Sequence, residues 1–150
     1  MIASRGVVLP LLIALGCTPG NAAIWSPHLE ALAPQFGLAP ELAAAVLASE
    51  SVCRARARGA RGEVGGFQIL RGASTPGQTR WLRDDVLELP GVNATLGLRR
   101  LAASRDACKG PPLAWLSEYN SGKCAGPTGY ARKIHARLHR AQRKLRLASR

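Results

Sequence analysis

Aromatic side chains are scarce in this sequence: two Phe, two Tyr and three Trp make up 5% of 150 residues. A core must therefore be filled mainly by Ala, Leu and Val. Hydrophobic residues at 47% are enough to build one, which excludes wholesale disorder. Acidic residues are scarce as well. Nine Asp and Glu stand against 21 Lys and Arg, leaving a formal net charge of +12. No internal repeat and no low-complexity linker divides the chain, so its length reads as one domain. No strand-like alternation of any length is present, although a short hairpin around Glu63 to Ile69 fits the pattern. No apolar run is long enough to span a bilayer.

A strongly basic chain is drawn to polyanions: nucleic acid, acidic lipid or acidic wall polymers. The N-terminus chooses among them. Met1 to Arg5 is short and carries one positive charge, and Val7 to Leu15 is apolar apart from Pro10. Small residues follow, through Ala22 and Ala23. This reads as a secretory signal peptide over 1–23, cleaved after Ala22 or Ala23, with a mature domain over 24–150. Lipoprotein anchoring through Cys17 is the less favoured reading, because Ala14-Leu15 is not the preferred order before Gly16-Cys17. A buried N-terminal helix is opposed by Pro10, Pro19 and Gly20. Export to the periplasm argues against nucleic acid as a partner and makes the cysteines candidates for bridging. With Cys17 gone, Cys53, Cys108 and Cys124 remain, so one bridge and one spare thiol are expected.

Helical punctuation recurs along the chain. Ser26-Pro27 reads as an N-cap and first helical residue, with the helix stopped by Gly37. Pro40 opens a second helix that places Leu42, Ala45, Val46 and Ser49 on one side and ends at Glu50-Ser51. Arg54 to Gly66 is a Gly- and Arg-rich loop. Trp81 to Leu89 suggests a short helix closed by Pro90-Gly91, and Leu96 to Ala107 another. Pro111-Pro112 breaks the chain before a helix over Leu113 to Tyr119. Asn120 to Gly129 reads as loop, and Tyr130, Ile134, Leu138, Ala141 and Leu145 recur at helical spacing. Six or seven short helices are expected.

The stretch Glu50-Ser51…Ala57…Gly62…Gly65…Gln68-Ile69 resembles the soluble-type lytic transglycosylase domain, a family with a lysozyme-like α fold. Three further blocks follow in the family's order: Asn93-Ala94-Thr95-Leu96-Gly97, then Tyr119-Asn120-Ser121-Gly122, then Tyr130-Ala131-Arg132-Lys133-Ile134. The resemblance covers roughly Pro40 to Leu138. Each block is weak alone; four in order are specific. Departures are Cys53 at an aromatic position, Gly66-Phe67 for Leu-Met, Glu63 for a small residue, Arg100 for Tyr and Glu118 for Ala. The small size resembles the specialised enzymes that open the wall for secretion systems, pili, conjugation or phage entry.

The resemblance implies a mainly α, goose-type-lysozyme or lytic-transglycosylase fold with at most a short β-hairpin. It implies that Glu50 is the single acid/base for cleaving the MurNAc–GlcNAc β-1,4 bond of peptidoglycan glycan strands, leaving 1,6-anhydro ends. No metal and no cofactor are called for. Ser51, Gln68, Tyr119, Asn120 and Tyr130 are implied to support Glu50 or bind the glycan. Each also has an ordinary reading as a packing or helix-end residue. Breaking a glycosidic bond needs a proton delivered to the leaving oxygen, and a carboxylic acid supplies it near neutrality only when apolar surroundings raise its pKa. The loop from Cys53 to Gly62 holds no Asp or Glu, which agrees with a one-carboxylate site; Glu63 reads as a solvated loop charge and Glu118 as a spare acid.

Cys108 and Cys124 bracket the Leu113–Tyr119 helix and are expected to form the disulfide, leaving Cys53 as a buried filler; Cys53 to Cys124 is the alternative pairing. The basic residues of the last helix read either as a solvated face or as an electrostatic contact with anionic envelope surfaces. Rival functions are a hydrolytic muramidase, a non-catalytic wall-binding subunit of a cell-envelope machine, and a basic membrane-active protein.

Overall fold

A computed structural model describes residues 6–72 and 80–150. Its elements are α1 (Val8–Ala14), α2 (Pro19–Leu32), a 3-10 turn (Ala33–Phe36), α3 (Pro40–Ser51), α4 (Asp84–Leu87), α5 (Pro90–Cys108), α6 (Pro112–Ser121) and α7 (Gly129–Ala148). The chain is mainly α, as expected. Among the described residues β structure is limited to isolated bridges pairing Val64 with Arg58 and with Ile69, where the hairpin was expected.

The organising element is α3. Pro40 at its first position has the fixed φ that suits a helix start, and every residue from Leu42 to Ala48 is buried. The helix is apolar all round rather than on one stripe, which identifies a central core helix. It packs against α1, α2 and α7, while α5 packs on α2 and α6, and α6 on α7. Immediately after Ser51 the chain turns away through two left-handed residues, Val52 (φ 52°) and Cys53 (φ 64°). Neither is Gly, so the turn is strained and must be held by its surroundings. Trp25 Nε1 donates to the Cys53 carbonyl at 2.9 Å, and Cys53 is bridged to Cys17.

That bridge corrects one expectation. Cys53 is not an unpaired filler, because Cys17 pairs with it; Cys108–Cys124 is the second disulfide, and no described cysteine is free. The segment expected to leave as a leader forms α1, with Val8, Leu11, Leu12 and Leu15 buried against the core. Two other boundaries move. The Thr18 side chain caps α2 by accepting from Asn21 N at 3.2 Å, with Pro19 rather than Pro27 in the first turn. Pro27 lies inside α2, and its missing N–H falls opposite the carbonyl of Ala23, an exposed residue open to water. Pro90 opens α5 instead of closing the helix before it. In α7, Ile134 and Ala141 are buried and Leu138 and Leu145 half-buried, so the expected stripe faces the domain.

Candidate active site

The end of α3, the loop over 59–70, α5 and the end of α6 enclose a cavity of about 360 Å³. Glu50, Glu63, Gln68, Arg100, Tyr119 and Asn120 all line it. It thereby gathers Glu50, Gln68, Tyr119 and Asn120 from blocks up to 70 residues apart in sequence. Burial at the end of an apolar helix raises the pKa of Glu50. Tyr130, from the first turn of α7, donates its hydroxyl to Glu50 Oε1 at 2.5 Å and works against that rise. The charge of Glu63 adds to it, and Lys133 opposes it. The balance leaves a carboxyl that holds its proton above the ordinary range, which suits a proton donor.

Tyr130 is fixed from both sides. Thr128 caps α7 by accepting from Ala131 N at 3.3 Å. The Tyr119 ring stacks on Tyr130 with centroids 6.5 Å apart and an interplanar angle of 24°. Tyr119 in turn donates to the Phe67 carbonyl at 3.2 Å. Burial pushes both phenols far above their usual range, so they remain protonated donors. Gln68 lies on the wall with φ 51°, and its amide nitrogen donates to the Gly65 carbonyl at 2.9 Å. The carboxylate of Glu63 and the amide oxygen of Gln68 lie over Gly59 where a Cβ would stand, so a side chain there would push both of these flexible groups aside. Ser51 differs from the others. It is buried, its Oγ donates to Leu47 O at 3.3 Å, and it is not on the cavity wall. Its place is in the core beside Glu50, off the cavity wall.

Two acids take roles other than those read from the sequence. Glu63 is not simply solvated: it lines the cavity with a side chain only 16% exposed. Its own amide, the Arg61 amide (2.9 Å to Oε2) and the Arg61 guanidinium (3.1 Å to Oε1) hold its pKa low. Glu118 is not a spare acid. Arg100 contacts its two carboxylate oxygens at 2.6 and 3.0 Å and its carbonyl at 2.9 Å. Burial works to raise the pKa of Glu118, but bonds from Arg100 and Ser104 and the Arg100 charge outweigh it and lower the value. Two separate departures from the resembled family thus form one ion pair. The Arg100 guanidinium also stands 5.9 Å from the centre of the Tyr119 ring.

The loop is riveted to α5 by Asn93. Its Oδ1 accepts from Phe67 N at 2.7 Å, and its Nδ2 donates to Val64 O and Leu87 O at 3.0 and 2.8 Å. One turn on, Gly97 leaves room for the Phe67 ring. Among the described residues no group of three or more His, Cys, Asp or Glu is placed to hold a metal ion. Compared with family models and with curated proteins, the chain matches none.

Proposed function

We propose that the protein is a peptidoglycan lytic transglycosylase acting outside the cytoplasm, with Glu50 as its acid/base. The observation that carries this reading is a half-buried carboxyl on a cavity wall, its pKa raised by burial, accepting from a half-buried phenol. Protonated Glu50 delivers its proton to the glycosidic oxygen as positive charge builds on the anomeric carbon. The substrate's acetamido group stabilises that cation. The Glu50 carboxylate then takes the proton of the sugar's 6-hydroxyl, whose oxygen closes on the anomeric carbon to leave a 1,6-anhydro end. The Tyr130 hydroxyl stabilises the ionised stage of that cycle. Gln68 and Asn120 line the cavity, and in this reading they bond the glycan.

Hydrolysis is the second reading, and one observation favours it: Glu63 is an ionised carboxylate on the wall that Glu50 shares. It could activate a water in place of the 6-hydroxyl. Mass spectrometry of muropeptides released from purified sacculi separates the two. Anhydro ends are expected, and mainly reducing ends would establish the hydrolase. Glu50→Gln should lower turnover by about two orders of magnitude or more with the fold intact; near-normal activity would overturn the assignment. Export belongs to this proposal, since two disulfides suit an oxidising compartment. Cleavage after Ala22 or Ala23 would remove Cys17 and the buried side chains of α1, so the mass of the exported chain decides whether the Cys17–Cys53 bridge is part of the working protein.

A further inference from the structure

α1 and α2 pack side by side as a hairpin, and from Gly6 to Pro27 no residue is charged. The inner sides of both helices are buried. The outer side of α1 is Leu9, Pro10 and Ile13; that of α2 is Ala23, Ile24 and Pro27. These are apolar residues at helical spacing, and Leu9, Ile13 and Ile24 remain 37%, 42% and 48% exposed. Scattered apolar residues on a surface need no explanation, but exposed positions on two adjoining helices that stay uncharged as far as Pro27 do; the next charge on α2 is Glu30, at its far end, which accepts from Gly6 N at 3.1 Å. One flank of this face is cationic. Arg137 of α7 donates to the Leu15 carbonyl at 2.8 Å, and Arg140 and Lys144 line a shallow groove with Ala14 and Leu15.

We propose that the outer face of the α1–α2 hairpin, rimmed by Arg140 and Lys144, is a docking surface for an anionic phospholipid membrane. An apolar strip edged by cations fits the boundary between acyl chains and anionic headgroups. The two outer faces are only a few turns long, and no helix among the described residues is long and apolar enough to cross a bilayer, so the contact is a shallow one in the interface plane. A second copy of the chain is a poorer occupant. Pairing two such faces would bring the cationic rims of two chains with net charge +12 together. None of these six outward residues lines the cavity holding Glu50, so the inference stands apart from the glycan chemistry.

The full chain, exported and purified oxidised, is the material for the test. Its intact mass and a non-reducing peptide map should show residues 6–22 present with Cys17 joined to Cys53; a chain beginning at Ala23 or Ile24 overturns the proposal. Co-sedimentation should then show at least tenfold tighter binding to vesicles of phosphatidylglycerol in phosphatidylcholine than to phosphatidylcholine alone. A cation near an anionic surface is worth roughly fivefold in affinity, so Arg140→Glu with Lys144→Glu should weaken binding by about 25-fold or more. Ile13→Glu and, separately, the milder Ile24→Ser should each weaken it with unchanged circular dichroism. Equal binding to both vesicles, no binding, or indifference to these substitutions overturns the proposal. So does a concentration-dependent dimer that Ile13→Glu abolishes, which would make a second copy the occupant.

Discussion

Removing one hydroxyl tests the chemistry of the cavity. Tyr130→Phe keeps the ring that stacks on Tyr119 but deletes the donor to Glu50 Oε1. That bond favours the ionised carboxyl, so the substitution must raise the pKa of Glu50 further above its ordinary value. A general acid works while protonated; the alkaline limb of the pH–rate profile should therefore move to higher pH. Turnover at lower pH should fall as well. The carboxylate that forms as the proton leaves has lost a hydrogen bond to a charged group, worth roughly 1.5–3 kcal/mol, or about 10- to 100-fold in rate. The assay is release of soluble muropeptides from sacculi across pH, with circular dichroism to verify the fold. An alkaline limb that stayed in place or moved to lower pH would refute the reasoning, as would an unchanged rate.

The same burial predicts a stability effect. A carboxyl whose pKa is raised by folding stabilises the fold fully below its unfolded value of 4.5 and loses that contribution as pH rises through the folded value. Glu50→Gln should therefore melt higher than the parent at neutral pH, with the gap closing as pH falls below 4.5; a lower melting point at neutral pH would contradict it. Glu118→Ala should cost up to roughly 3 kcal/mol in urea unfolding by stranding Arg100, and adding Arg100→Leu should recover much of it. Product chemistry on the folded fraction should persist, and its loss would return Glu118 to the list of acids. Gly97→Ala should gain about 1 kcal/mol of helix propensity but drive a methyl into the Phe67 ring, for a net loss of roughly 1–2 kcal/mol in thermal unfolding.

What the sequence made legible followed from local rules. Pro40 and the apolar run behind it announce α3, Gly37 stops the preceding turn, and Pro111-Pro112 separates α5 from α6, because each acts within a few residues of itself. Proline is also where reading failed. Pro90 and Pro27 carry the same restricted φ whether they open, close or interrupt a helix, and only tertiary packing chooses. The run from Val7 to Leu15 has the composition of both a leader and a core helix; its burial against α2, α3 and α7 involves residues far along the chain. Arg100 and Glu118 looked like unrelated departures because a proline break stands between them. Glu63 was visible, but whether a loop carboxylate faces water or a cavity depends on where Arg61 puts its amide and guanidinium.

Asn93 makes the loop above Glu50 depend on one atom. Its amide satisfies one backbone donor and two backbone acceptors, so only one orientation of the group fits, and neither end can change character. Asp at this position has the same shape, yet it would aim an acceptor at the carbonyls of Val64 and Leu87 in a site without water access. Burial inside α5 keeps water from this amide, so its hydrogen-bonding character is held for as long as the helix is. One nitrogen thus ties two carbonyls on either side of the cleft loop, Val64 and Leu87, to a single helix, while the oxygen beside it holds Phe67 N; the floor under Gln68 is as rigid as α5 itself.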